Sequence, residues 1–307
     1  MGSVWFVFAL LGPVSWGIST HIDKYLVEKY FKHSDTAVLM VFTAIVGVFA
    51  LPVIWFFDSG VVAVSWREAG IVALSGAMYM GAMLFYLRAM QSDEASIIAP
   101  LFQFVAVFTL LLGYLFLHEV LSWQQLAGIA LIVIGAVAVS AHRRAFLRQF
   151  KLRLLLLMIT ATFTLALSTV LFKFFAVQTS FWRTTFWMFV GEAVFGVAIL
   201  CVPSLLREFL ALFRRSPGAV IGINAANELI NLGGGLAVRF ASLLAPVALI
   251  SALSSTTTLF VFGFGVLLTE FFPRFGREDL SAHNLMKKGI SALLVAAGVL
   301  LANASKT

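Results

Sequence analysis

Charge is the scarcest property of this sequence. Only 11% of its 307 residues are charged, 21 Lys and Arg against 14 Asp and Glu, where a soluble domain carries roughly 25%. So little polar surface excludes a soluble globular chain; most side chains must face lipid or one another. Cysteine is nearly missing too. Cys201 stands alone, so no intrachain disulfide can form and redox compartment cannot be read. The five histidines, His21, His33, His118, His142 and His283, form no His-Glu-x-x-His or comparable metal pair. No Gly-x-x-x-x-Gly-Lys-Ser/Thr loop is there to cradle nucleotide phosphates. No metal, no cofactor and no ATP-driven pumping within the chain are therefore expected. Met1-Gly2-Ser3-Val4 lacks a basic n-region, so no cleavable signal is expected. Phe6 breaks the myristoylation pattern that Met1-Gly2 begins.

What is abundant is apolar sequence, 61% of residues with a mean hydropathy of +1.01. It divides into ten stretches of roughly 18–25 residues, the length that crosses a bilayer. They run Ser3–Ile22, Thr36–Phe57, Arg67–Ala89, Ala95–Leu117, Trp123–Ala141, Leu152–Ala176, Phe181–Pro203, Pro217–Phe240, Ser242–Thr269 and Leu285–Ala302. The expected fold is all-α and integral to the membrane. The loops are too short to hold a catalytic domain.

The chain is also written twice. Ser19-Thr20-His21-Ile22-Asp23-Lys24 recurs as Ser168-Thr169-Val170-Leu171-Phe172-Lys173, an offset of 149 residues. Ala95-Ser96-Ile97-Ile98-Ala99-Pro100 recurs as Ala241-Ser242-Leu243-Leu244-Ala245-Pro246, an offset of 146 residues. Matched motifs at nearly matched offsets predict two five-helix repeats, residues 1–145 and 146–307. An odd number of spans per repeat sets the second upside down relative to the first, the inverted-repeat plan of many secondary transporters. Within the repeated motif, Asp93-Glu94 and Ser96 suit a helix N-terminus, and Pro100 its first turn. The same logic puts Pro246 near the start of the ninth span.

Positive charge is lopsided about these spans. One side collects Lys24, Lys29, Lys32, Arg88, Arg143, Arg144, Arg148, Lys151, Arg153, Arg207, Arg214, Arg215, Arg274, Arg277, Lys287 and Lys288; the other receives Arg67, Lys173, Arg183, Arg239 and Lys306. The positive-inside rule makes the first side cytoplasmic and puts both termini outside. The net charge of +7 then reads as topology and contact with anionic lipid. The basic residues are scattered over several span-bordering loops, so nucleic-acid binding is not expected. Arg143–Arg153 reads as the linker between halves.

Polar groups inside spans point to function, because a charged side chain at mid-bilayer costs about 2.5–3.5 kcal/mol on insertion scales. In the eighth span Asn224, Asn227, Glu228 and Asn231 recur three and four apart, on one helical face. Such a stripe either lines a wet cavity or forms a buried polar seam. Glu228 is the candidate proton-coupling or cation-binding carboxylate; the alternative is a structural carboxylate held by a neighbouring lysine or amide. Gly233-Gly234-Gly235 follows, as a hinge or a close-packing surface. Glu192 in the seventh span has aromatic and aliphatic neighbours and reads as an ion-pair partner before a ligand. Lys24 and Lys173 occupy equivalent places, either snorkelling to an interface or binding an anion. The remaining substrate-binding candidates are Gln103, Tyr79, Trp16, Ser19, Ser168 and Ser251. His21, Tyr86 and Ser254 are weaker ones, since interfacial aromatics and helix-bonded serines are ordinary.

Tyr86-Leu-Arg-Ala89, Ala95-Ser96-Ile-Ile-Ala-Pro100, Gly113-Tyr-Leu-Phe-Leu-His-Glu119 and Gln125-Leu-Ala-Gly-Ile-Ala-Leu-Ile-Val-Ile-Gly135, with Trp16-Gly17 and Lys24 on the first span, resemble the EamA-like family of the drug/metabolite transporter superfamily. The similarity extends over essentially the whole chain and is strongest in spans three to five. The second half departs from it: Pro246 to Glu270 is longer than Pro100 to Glu119, and Phe271–Lys288 is a long final loop. The resemblance implies a ten-helix carrier of small metabolites or ions, and by itself inclines toward termini inside. The expected activity is secondary transport of a small polar or amphipathic metabolite, such as an amino acid, by alternating access. Proton exchange or the substrate gradient would drive it, and no nucleic acid takes part. Lipid surrounds it, a monomer suffices, and the location expected is a bacterial or archaeal inner membrane. The alternatives are a lipid-moiety or nucleotide-sugar carrier and, more remotely, a membrane enzyme acting on lipid.

Overall fold

The computed structural model describes residues 4–30, 34–92, 98, 101–140, 152–215, 218–271 and 282–304, which are helical with short connections and contain no strand. The helices are α1 (Val4–Lys29), α2 (Thr36–Phe57), α3 (Trp66–Ser92), α4 (Phe104–Leu117), α5 (Trp123–Ser140), α6 (Leu152–Gln178), α7 (Phe181–Leu200), α8 (Pro203–Arg215), α9 (Gly218–Leu244), α10 (Val247–Ser254), α11 (Thr257–Phe271) and α12 (Ala282–Ala304), with a 3₁₀ turn at Ser59–Ala63. Among the described residues, six stretches are long and apolar enough to cross a membrane: Val4–Leu26, Thr36–Phe57, Trp66–Met90, Leu152–Gln178, Phe181–Leu200 and Val247–Phe271. This is an integral membrane protein. Three further apolar stretches, Phe104–Leu117, Trp123–Ala138 and Gly289–Ala302, are shorter. Helix α9 has 27 residues, the length of a span, but its Asn, Glu and Arg side chains lower its apolarity.

Several boundaries differ from the sequence expectation for identifiable reasons. Thr36–Phe57 is reproduced, because Asp35 caps its start by accepting from Ala37 N at 2.8 Å, and Asp58 closes its end with an N–H donated to Ile54 O. Helix α1 continues to Lys29, beyond the expected Ile22. The seventh span ends at Leu200, and Pro203 opens α8, where only a loop was expected. Proline suits a first helical turn, whose N–H groups lack partners. The ninth span is broken at Ser255 and Thr256 into α10 and α11. Hydroxyls there bond back to the helix backbone, Ser254 to Ile250 O at 3.0 Å and Thr257 to Ser254 O at 2.7 Å, a pattern that bends helices. Pro246 directly precedes α10, as expected. The final loop is shorter than Phe271–Lys288, because α12 already begins at Ala282. The Asp93-Glu94-Ser96 cap, Pro100 and most of the Arg143–Arg153 linker lie outside the described residues.

Close pairs of helices fix the framework: α5 with α12, α1 with α9, α3 with α6 and α7, α2 with α7, α4 with α6, and α1 with α11. Lipid tails offer no hydrophobic drive between helices, so close approach through small residues takes its place. Gly191 of α7 presses on the backbone of Ala73, and Gly76 of α3 on the carbonyl of Met188; a Cβ at either would overlap main chain. Gly128 and Gly298 meet in the same way between α5 and α12. In the triple glycine, Gly234 packs on Ser15 and Gly12 of α1, whereas Gly233 and Gly235 face open space. Gly191→Ala is therefore expected to destabilise the folded protein by about 1–3 kcal/mol through overpacking. Gly233→Ala should be neutral or slightly stabilising. Thermal unfolding of both variants in detergent checks the contrast.

Candidate functional site

Helix α9 brings its polar stripe against its neighbours. Asn227 is fully buried and Asn224 is 8% exposed, while Glu228 and Asn231 are partly buried. The Asn227 amide donates from Nδ2 to Asp23 Oδ1 of α1 at 2.6 Å. The Ser19 hydroxyl donates to the other Asp23 oxygen at 3.3 Å, one turn back along α1. Asp23 is itself exposed, so the cluster opens outward on that edge. On the adjoining edge, Thr43 of α2 donates to Glu228 Oε1 at 3.2 Å, and Asn231 hydrogen-bonds Glu228 from the next turn of α9. Asn227 Oδ1 is buried with no hydrogen-bond partner. An orphaned acceptor of this kind, beside two carboxylates, is suited to an N–H donor or a cation.

Two turns beyond Asn231, α9 carries Arg239, whose guanidinium meets Glu192 of α7 at 2.9 Å. Glu192 is 3% exposed. Three rings surround the guanidinium carbon, Tyr79 and Phe189 at 5.4 Å and Phe172 at 5.8 Å, within cation–π range. Tyr79 lies within electrostatic reach of Arg239, Glu192 and Glu228. The acidic cluster and the ion pair are thus two parts of one polar seam. Arg239 has its charge and its faces occupied; Asp23 and Glu228 have hydroxyl and amide partners but no cationic one among the described residues.

Of the candidates read from sequence, Ser19, Asn227, Glu228 and Asn231 are brought together here, and Tyr79 joins through Arg239. Asn224 continues the stripe one turn earlier. Trp16 sits partly buried one turn before Ser19, its ring beside Gly12 at the α1–α9 seam. Gln103 and Ser251 belong elsewhere, at the break in the ninth span, where the Ser255 hydroxyl donates to Gln103 Oε1 and lies 3.4 Å from Ser251 O. Ser168 is buried and donates to Ser75 O of α3 at 2.8 Å, tying α6 to α3. His21 Nε2 donates to Val261 O at 2.8 Å. Lys173 is held by Glu119 at 2.5 Å and by Ala245 O at 2.8 Å, and Glu119 accepts from Val247 N at 2.9 Å, capping α10. Lys24 is exposed.

Asp23, Thr43, Arg239 and Glu119 hold polar contacts that the sequence does not single out. Arg239 carries a signal: it lies inside the expected eighth span, and a buried Glu192 needs a cation. Asp23 sits at i+4 from Ser19, a hydrogen-bonding spacing on a helix. Thr43 offers nothing, as a threonine in an apolar span bonds its own backbone by default.

Comparison with known proteins finds similarity chiefly in the first half. Residues 3–141 match the EamA-like transporter family. Pseudopaline exporters from two strains of Pseudomonas aeruginosa are 26% identical over 138 residues, 45% of this chain and 48% of theirs. The chain thus spans about half the length of these curated relatives in the alignment. An uncharacterised protein of Methanocaldococcus jannaschii is 27% identical over 134 residues, 44% of this chain and 94% of that protein. A solved crystal structure superposes with a TM-score of 0.71 over 99% of both chains at 14% identity, which places the whole chain in a known fold.

Proposed function

We propose that this protein is a secondary carrier that exports a small, amine-bearing polar metabolite, an amino acid or a relative of one, from a bacterial or archaeal cell by alternating access. The observation that carries the reading is the cluster Asp23–Asn227 and Glu228–Thr43, two carboxylates and an orphaned amide oxygen. Buried polar groups in a membrane protein mark substrate and ion pathways. An ammonium group offers the donors that Asn227 Oδ1 lacks and the charge that Asp23 and Glu228 lack. Glu228 exchanges a proton against the substrate, so that the site carries one or the other across. Asn224, Asn231, Tyr79, Trp16 and Ser19 line the same space; Gln103, Ser168 and Ser251 shape the surrounding helix contacts.

The architecture in this reading is ten spans in two inverted repeats, 1–145 and 146–307, with the Lys24 end cytoplasmic. Three supports favour it. Exchanging equivalent spans returns most of the main helix contacts to themselves: α5–α12 and α2–α7 pair like with like, α1–α9 matches α6–α3, and α1–α11 matches α6–α4, whereas α3–α7 is closer than its counterpart α9–α2. The archaeal relative is covered almost end to end by less than half of this chain. The charge asymmetry supplies the orientation. The relatives named for pseudopaline export support the outward direction.

Cells expressing the wild type are expected to release one class of internal metabolite into the medium, identified by comparing media. Asn227→Leu, which leaves Asp23 only the Ser19 donor, should slow that release about tenfold, as loss of a hydrogen bond to a charged group implies. Equal release from both, with equal protein in the membrane, would remove the cluster from substrate binding.

A further inference from the structure

The ion pairs are unevenly distributed. Among the described residues, Lys173–Glu119 and Arg183–Asp58 lie toward the end of the bundle where α2, α4, α6 and α9 finish and α7 and α10 begin, and Arg239–Glu192 lies midway along α7. Lys173 and Glu119 join three elements there: α6, the end of α4 and, through Val247 N and Ala245 O, the start of α10. At the opposite end, where α1 and α11 finish, Lys24 and Glu270 are exposed and have no ion-pair partner among the described residues.

Lys24 and Glu270 are the sequence equivalents of Lys173 and Glu119. Lys24 ends the motif whose second copy ends in Lys173, and Leu267-Leu-Thr-Glu270 echoes Phe116-Leu-His-Glu119. The helix registers match as well. Helix α4 runs alongside α6 in the same direction, with Phe108 edge-on to Phe163 and Glu119 paired with Lys173, pairings offset by 55 and 54 residues. On the other side Gly17 of α1 faces Phe260 of α11 and His21 meets Val261 O, and carrying these registers forward sets Lys24 beside residues 264–267. Glu270 is then three to six residues on, a rise of about 4.5–9 Å. The pair is one to two helical turns short of forming.

The geometry points to two interchangeable latches: Lys173–Glu119 clamps one end of the bundle in the conformation described, and Lys24–Glu270 clamps the other end in the opposite conformation, each breaking as the other forms. This inference rests on the carrier reading for its purpose but not for its test. A rocking motion about an interior site needs an interaction that is made in one state and absent from the other, since only differential contacts shift such an equilibrium. A lysine–glutamate pair at a helix start supplies this, because the carboxylate also satisfies a backbone N–H, as Glu119 does at Val247.

The test uses full-length protein with Cys201→Ser as background. Lys173→Cys with Glu119→Cys, and Lys24→Cys with Glu270→Cys, are treated with a short bismaleimide in membranes, separately and in a four-cysteine variant. Both pairs should crosslink when alone. In the four-cysteine variant, completing the first crosslink should lower the yield of the second about tenfold, as exclusive states require. Full yields of both crosslinks in one molecule would overturn the proposal, as would a Lys24→Cys/Glu270→Cys pair that never crosslinks. Because cysteines remove the charges, a charge reversal gives a second readout. Lys24→Glu should impair transport, and Lys24→Glu with Glu270→Lys should restore it; no rescue counts against the latch. Exclusive crosslinks in a protein that moves no solute would leave the latches standing and defeat the carrier reading.

Discussion

Arg239→Met is expected to lower the stability of the folded protein by about 3–5 kcal/mol, the usual cost of leaving one partner of a buried ion pair uncompensated. Glu192 would remain at 3% exposure with no cation in reach, in a pocket walled by Tyr79, Phe172 and Phe189. Hydrocarbon around the bundle offers no water to relieve it. The aromatic contacts, each worth roughly 0.5–2 kcal/mol, are lost in the same step. The paired substitution Glu192→Gln with Arg239→Met should recover most of the loss, because a neutral amide beside a methionine carries no stranded charge. Unfolding in detergent, followed by tryptophan fluorescence or thermal aggregation, reads both. Arg239→Met with wild-type stability would mean that Glu192 has another source of compensation.

The second large effect falls on coupling. Glu228→Gln keeps the side chain's shape, and its carbonyl oxygen still accepts from Thr43, so the fold should persist. Glutamine cannot exchange a proton. Accumulation of substrate driven by a pH gradient across a liposome membrane is expected to fall at least about tenfold, the equivalent of about 1.4 kcal/mol of lost driving interaction. Exchange of substrate for substrate at equal pH on both sides should fall less, since it moves no net proton and Asp23 still offers a charge to the ammonium. An unaltered response to the gradient would relieve Glu228 of the coupling role and leave it a structural partner of Thr43.

Much of this protein is legible in its amino-acid sequence. Thr36–Phe57 has the expected ends because its apolar run is unbroken and acidic residues stand at both borders. The Asn224–Asn231 stripe is legible because helical spacing alone puts four polar residues on one face. Its partners are not, because Asp23 lies 204 residues from Asn227 and Thr43 lies 185 from Glu228, separations that periodicity does not reach. Helix α8 carries a signal of a different kind. Pro203 can start a helix, and Leu205, Phe209 and Leu212 form the stripe packed on α2 and α7, with Arg207, Arg214 and Arg215 outward. Its mixture of apolar and charged residues resembles a loop by the measure of apolar length that identifies spans. The break at Ser255 has its own signature, five successive hydroxyl residues from Ser254 to Thr258. They compete for backbone carbonyls in a way that an apolarity average cannot register.

The measurement that reaches the central claim most directly is counterflow in liposomes holding the purified protein. Vesicles are preloaded with pools of unlabelled amino acids, other amines, sugars or nucleotide-sugars, and a labelled trace of the same pool is added outside. The account predicts that label enters faster than into protein-free vesicles only for an amine-bearing pool. It also predicts that entry depends on the preload, and that Glu228→Gln supports this exchange while Asn227→Leu does not. Entry at the protein-free rate for every pool would contradict the carrier reading; preload-dependent entry of sugars or nucleotide-sugars alone would contradict the amine site.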